Sequence, residues 1–207
     1  MLRKLICVSI FVFACLYAAQ AEASVTIFLD EFNTISGWST QGNVSADDQS
    51  SPAPSGDDVA KLKSYNEATS SMWRTISTAG YNNIGLSLYR KTKSLGDDNN
   101  DLFTIAWKKT GETAWNILET LDYNSSWQYK NWVLPSAASN GSVDVKFSLY
   151  NGDDGCHSSK DYAYIDDFKL TGDHTNGGDV IPEPVTTLLF GSGLIFAGYL
   201  RRKKTIV

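Results

Sequence analysis

The sequence predicts an all-β protein, an antiparallel two-sheet sandwich of the jelly-roll type. Short apolar–polar alternations recur through residues 24 to 172, clusters of turn residues separate them, and no stretch among them places apolar side chains at helical spacing. Two uncharged apolar runs, one at each end of the chain, flank this region and read as a signal peptide (1–23) and a single transmembrane helix (185–200).

Taken in order, the first strand is Val25 to Leu29. Asp47 to Asp58, with Pro52 and Pro54, reads as a long polar loop. Met72 to Ile76 is a second strand, and Ile84-Gly85-Leu86-Ser87-Leu88-Tyr89 alternates cleanly as a third. Gly96-Asp97-Asp98-Asn99-Asn100 then turns the chain into a strand whose Phe103, Ile105 and Trp107 share one face. Thr110-Gly111 leads to Trp115 to Leu121, and Trp127 to Leu134 follows. Asn140-Gly141 precedes Val143-Asp144-Val145-Lys146-Phe147-Ser148-Leu149, and Asn151-Gly152 closes it. The last strand is Tyr162 to Leu170. Its period of two puts Tyr164, Asp166, Phe168 and Leu170 on one face, so Asp166 points with apolar neighbours. A carboxylate held there needs a cation, a basic side chain or several amides, unless a bulge at Asp166-Asp167 turns it to solvent.

The ends argue for export. Arg3 and Lys4 precede the charge-free run Leu5 to Ala19, and small residues follow at Ala19-Gln20-Ala21 and Ala21-Glu22-Ala23, where cleavage is expected. Cys15 raises a lipid-anchored alternative, although Phe13 is bulky for such a site. After a Gly/Asp/Asn linker (173–180), Pro182-Glu183-Pro184 keeps the backbone extended, since proline lacks an amide donor and disfavours helix before it. The apolar run 185–200 comes next, then the basic cluster Arg201, Arg202, Lys203 and Lys204, which reads as a cytoplasmic anchor. Sixteen residues give about 24 Å of helix, short of the roughly 30 Å hydrocarbon core, a gap that snorkelling of Arg201 and Arg202, local thinning and Tyr199 at the interface can close.

Pro182-Glu183-Pro184, an apolar helix containing Gly191, Gly193 and Gly198, and a terminal arginine cluster together resemble the PEP-CTERM sorting domain over the last 27 or so residues. That resemblance implies a Gram-negative source, an exosortase as partner, cleavage near Pro182 to Pro184, an inner-membrane-anchored precursor, and delivery to the cell surface or extracellular matrix.

Residues 24–172 hold 19 acidic and 12 basic side chains, a charge of −7, which excludes nucleic acid as an expected partner. Two histidines, and Cys156 as the one cysteine beyond the signal peptide, leave little for nucleophilic catalysis; Cys156 and His157 are chain neighbours that point apart. No HExxH, CxxC or GxSxG motif occurs, no carboxylate pair stands out, and no catalytic residue is assigned. Six tryptophans lie in the region. Trp107 belongs with the core, while Trp115 and Trp127, at strand starts, are the ones expected to be exposed, where rings can stack on sugar. Of two oxygen-rich loops, Asp97 to Asp101 lacks the glycine and glutamate of an EF-hand, and both it and Asn151 to Asp154 read as solvated turns.

Tyr164-Ile165-Asp166-Asp167-Phe168-Lys169-Leu170, taken with Asp30-Glu31-Phe32 and Gly37-Trp38, is similar to the two ends of MAM and carbohydrate-binding-module jelly rolls. The resemblance implies first and last strands side by side and a structural calcium, carried over here to Asp30, Glu31 and Asp166; a purely structural Asp166 is the alternative. The reading reached is an exported adhesive or glycan-binding module with exopolysaccharide or surface glycan as ligand. A passive envelope component and a glycan-active hydrolase are the alternatives.

Overall fold

The computed structural model describes residues 24–48, 58–96, 100–152 and 160–175. The expected signal peptide, Cys156 and His157, and the tail with Pro182, Glu183 and Pro184 lie outside them. Eleven strands occur among the described residues: β1 Val25–Asp30, β2 Ser39–Gln41, β3 Asn43–Asp48, β4 Asp58–Ser64, β5 Thr69–Ser77, β6 Tyr81–Lys93, β7 Leu102–Lys109, β8 Asn116–Leu121, β9 Ser125–Val133, β10 Ser142–Tyr150 and β11 Asp161–His174. One short 3-10 turn, Ser136–Ala138, interrupts them.

They form the expected sandwich. One sheet runs β3-β4-β11-β6-β9, with β1 also paired to β11; the other runs β2-β5-β10-β7-β8. All pairings are antiparallel. The clean alternations become the central strands: Ile84, Leu86 and Leu88 of β6 face Val143, Val145, Phe147 and Leu149 of β10 and Phe103, Ile105 and Trp107 of β7 across a core with almost no solvent contact. Each such side chain contributes about 1.5–3 kcal/mol by leaving water.

The first and last strands do lie side by side, from Val25 opposite Gly172 to Asp30 opposite Phe168. Beyond Phe168, β11 takes β4 as its neighbour on that edge, with Ile165 opposite Ala60. The change of partner coincides with a bulge: Asp166 is opposite Tyr89 and Lys169 opposite Ser87, so β11 spends one residue more than β6. Asp167 has φ 49°, and its amide donates to Asp166 Oδ1 at 2.8 Å. The extra residue breaks the period of two. Phe168 and Leu170 face the core, whereas register places Tyr162, Tyr164 and Asp166 on the outer face, so Asp166 does not share a face with Phe168 and Leu170 as the sequence pattern implied. The bulge does not carry it into water either, because Asp166 is fully buried.

Two polar contacts tie the layers. Trp38 packs against Phe32, Phe147 and Phe168 at ring distances of 5.7, 5.6 and 5.5 Å, and its Nε1 donates to Asp30 Oδ2 at 2.8 Å. Arg90 on β6, fully buried, reaches across to β8, donating from Nη2 to Glu119 Oε1 at 2.7 Å and from Nε to Oε2 at 3.1 Å, while Nη1 donates to Ser125 at 2.8 Å.

Candidate functional site

The outer face of the six-stranded sheet gathers aromatic and basic side chains from four strands. Register explains why: Tyr162 of β11 is opposite Lys93 of β6 and Lys63 of β4, and Tyr164 is opposite Lys91 and Lys61. One strand further along, Tyr89 of β6 is opposite Tyr129 of β9. Alternation turns all of these away from the core on which Leu86, Leu88 and Arg90 close.

The rings fall into two groups. Tyr162 and Tyr164 stack at 6.2 Å with 11° between planes, Trp127 lies 6.5 Å from Tyr164, and Tyr89 and Tyr129 are 5.1 Å apart. Lysines cover them: Lys91 Nζ is 6.0 Å from the Trp127 ring and 5.6 Å from Tyr164, and Lys93 Nζ is 6.0 Å from Tyr162. Lys61 is held by Asp47 at 2.7 Å. Tyr129 is 54% exposed and Tyr162, Tyr89 and Trp127 are half-buried, whereas Tyr164 is buried beneath its neighbours. Burial, then the Asp47 charge and Tyr162, pushes the Tyr164 hydroxyl up to about 12, so it remains a hydrogen-bond donor at any physiological pH. Trp127 Nε1 is enclosed and has no hydrogen-bond partner.

The other outer face is sparser. Trp115 has Lys108 Nζ at 4.9 Å and Lys146 Nζ at 5.5 Å, and Trp73 is opposite Lys146 across the β5–β10 pair. Trp115 and Trp127, expected to be exposed, are half-buried, and Trp107 is core as expected, only 3% exposed. Tyr162, Tyr89, Tyr129 and the lysine row were missed, although part of the signal was present in the sequence: the outward positions run Tyr89, Lys91, Lys93 on β6 and Tyr162, Tyr164 on β11.

Of the three residues carried over for calcium, Glu31 is exposed. Asp30 accepts from the Phe32 amide at 2.9 Å and from Trp38 at 2.8 Å, with Arg74 Nη1 at 3.7 Å. Among the described residues no group of three or more His, Cys, Asp and Glu is placed to hold a metal, so Asp30, Glu31 and Asp166 do not form such a set. The solvated-turn reading of the two oxygen-rich loops also fails where they are described: Asp101 is 1% exposed and Asn151 0%.

No family model matches the chain, and no curated protein does. Solved structures do. A family 61 carbohydrate-binding module in complex with β-1,4-galactotriose is 14% identical, with a TM-score of 0.50 over 67% of this chain and 90% of that one. A structure of carbohydrate-binding modules of the β-sandwich superfamily, described as promiscuous in specificity, is 15% identical with a TM-score of 0.51. There 73% of this chain covers 63% of the other. The enzymatically active domain of the bacteriophage CBA120 tailspike protein 4 is more distant, at 14% identity and a TM-score of 0.44 over 68% of this chain and 20% of that one, and carries no argument. At these identities the likeness establishes the carbohydrate-binding-module-like sandwich fold and leaves ligand and site to the chain's own residues.

Proposed function

We propose that the sandwich is a non-catalytic glycan-binding module whose ligand is an acidic polysaccharide, received on the outer face of the six-stranded sheet. The observation that carries this reading is the row of adjoining rings, Tyr162, Tyr164 and Trp127, edged by Lys61, Lys63, Lys91 and Lys93. Rings of this kind pack against the C–H faces of pyranoses, and ammonium groups pair with carboxylates on the same sugars. A lysine resting over a ring lies within a side-chain swing of a bound sugar's carboxylate. A basic row on a domain of charge −7 is a local departure that favours an anionic ligand over a neutral one.

The test compares binding of polygalacturonate with that of its methyl ester, which keeps the sugar faces and removes the charge. Affinity for the acid form, weakening with added salt and dropping about tenfold or more in Trp127→Ala or in Lys91→Ala with Lys93→Ala, is expected. Equal binding of acid and ester removes the charge argument. Loss in Trp115→Ala with none in Trp127→Ala moves the site to the other face.

Export and sorting form the second half of the proposal, resting on the sequence of the two ends. The module is carried out by its signal peptide, held by the 185–200 helix, and processed at Pro182-Glu183-Pro184 by an exosortase. Intact mass of the native protein, in cells with and without the exosortase and with the three residues changed to Ala, decides this. A tail lost only when enzyme and motif are both present is expected; an uncleaved membrane-bound chain in every case reduces the tail to an anchor.

A further inference from the structure

The β7–β10 ladder ends with Leu102 opposite Tyr150, so the next residue on each strand, Asp101 and Asn151, flanks the same end. Gly152 lets the two chains close on each other: a Cβ there would stand 2.3 Å from Asn100 Cβ. Asp161, the first residue of β11, reaches the same place from the opposite sheet. The resulting set is fully enclosed, with Asp101 1%, Asn151 0% and Asp161 0% exposed.

Its hydrogen bonds leave oxygen over. Gly152 N donates to Asp101 Oδ1 at 2.9 Å, and Asn151 Nδ2 donates to Asp161 Oδ2 at 2.7 Å. The second bond fixes the amide orientation, because a carboxylate accepts only from the nitrogen, and Asn151 Oδ1 is therefore the free end. Asp101 Oδ2 and Asn151 Oδ1 are both buried without a partner. Asp101 has no ion pair among the described residues. An enclosed carboxylate oxygen and an enclosed amide oxygen, each without a donor, are a costly arrangement unless something electron-poor reaches them.

We infer that Asp101, Asn151 and Asp161 form a calcium site that clasps the two sheets at this end. Carboxylate and amide oxygens are hard donors, and calcium accepts six to eight such ligands in flexible geometry, with water or main-chain oxygen completing the shell. The site is separate from Asp30, Glu31 and Asp166 and does not rest on the glycan reading. A buried water serving the same two oxygens is the competing occupant.

The test is calorimetric titration of the chelator-treated full chain with calcium, together with its melting temperature. One calcium per chain is expected, with a rise of about 5–10 °C at a hundredfold excess over the dissociation constant. Asp101→Asn retains the acceptor for Gly152 and removes the charge, so it should weaken calcium binding more than tenfold while keeping the far-ultraviolet spectrum. Asn151→Asp adds a third carboxylate; it should melt lower without calcium and show a larger calcium response than wild type, and it decides the matter if Asp101→Asn does not fold. The inference is overturned by absence of calcium binding in the wild type, which leaves water as the occupant. It is equally overturned by a response that persists in Asp101→Asn, follows Asp30→Asn instead, or is no larger in Asn151→Asp.

Discussion

Asp30 shows how one side chain can hold the entry to a fold. Its two oxygens accept from the Phe32 amide and the Trp38 indole, fixing Phe32 at φ 56° and seating Trp38 among the core rings. Asp30→Ala leaves both donors without their acceptor and is expected to lower stability by roughly 2 kcal/mol, read as a shift in the urea midpoint. Tyr164 gives a second residue-scale outcome. Its hydroxyl pKa is raised by burial to about 12, so as pH climbs above the ordinary tyrosine value the unfolded chain releases a proton that the folded chain keeps. The contribution of this group should be flat below about pH 10 and fall between there and about pH 12, by roughly 2–3 kcal/mol. Tyr164→Phe should remove that part of the decline in pH-dependent chemical denaturation. Asp166 marks the limit of legibility at this scale: parity along a strand can be read from sequence, but the bulge at Asp167 that inverts it depends on β1 and β4 meeting β11 from distant parts of the chain.

At the scale of the elements, what could be read was governed by burial. β6, β7 and β10 occupy sheet interiors, and their alternation of apolar and polar residues was unmistakable. β2, β3 and β4 were missed because their apolar residues are small or few: Val44 and Ala46 on β3, Val59, Ala60 and Leu62 on β4, none on β2. The aromatic–lysine face was half legible, since its residues sit on readable strands while their adjacency is created by pairings between β11, β6, β4 and β9. The Arg90–Glu119 bridge was not legible, because β6 and β8 belong to different sheets. Burial alone would raise the Glu119 pKa, but the bonds and charges of Arg90 and Lys130 outweigh it and hold it below the ordinary carboxylate value. This contribution is present at neutral pH and is lost as pH falls through the depressed value. Glu119→Ala strands a buried guanidinium and is expected to destabilise by about 3 kcal/mol, whereas Arg90→Met combined with Glu119→Leu should recover most of that loss in equilibrium unfolding.

For the molecule as a whole, charge and topology each carry a consequence. With −7 over the domain and four lysines on one outer face, long-range repulsion should oppose capture of a polyanion while the local row favours it, so measured affinity will depend on salt at both ends of the range. Topology acts on time. β11 is the last strand among the described residues and also the one to which β1, β4 and β6 all bond. Until Asp161 to His174 is available, β1 has no partner in its sheet, β3 and β4 are cut off from β6 and β9, and Phe168 and Leu170 are missing from the core. A chain ending at residue 160 should therefore show no cooperative melting transition. A polypeptide emerging from its amino end would thus stay open, threadable and dependent on chaperones until nearly all of the domain is out, and would then close slowly through long-range pairings.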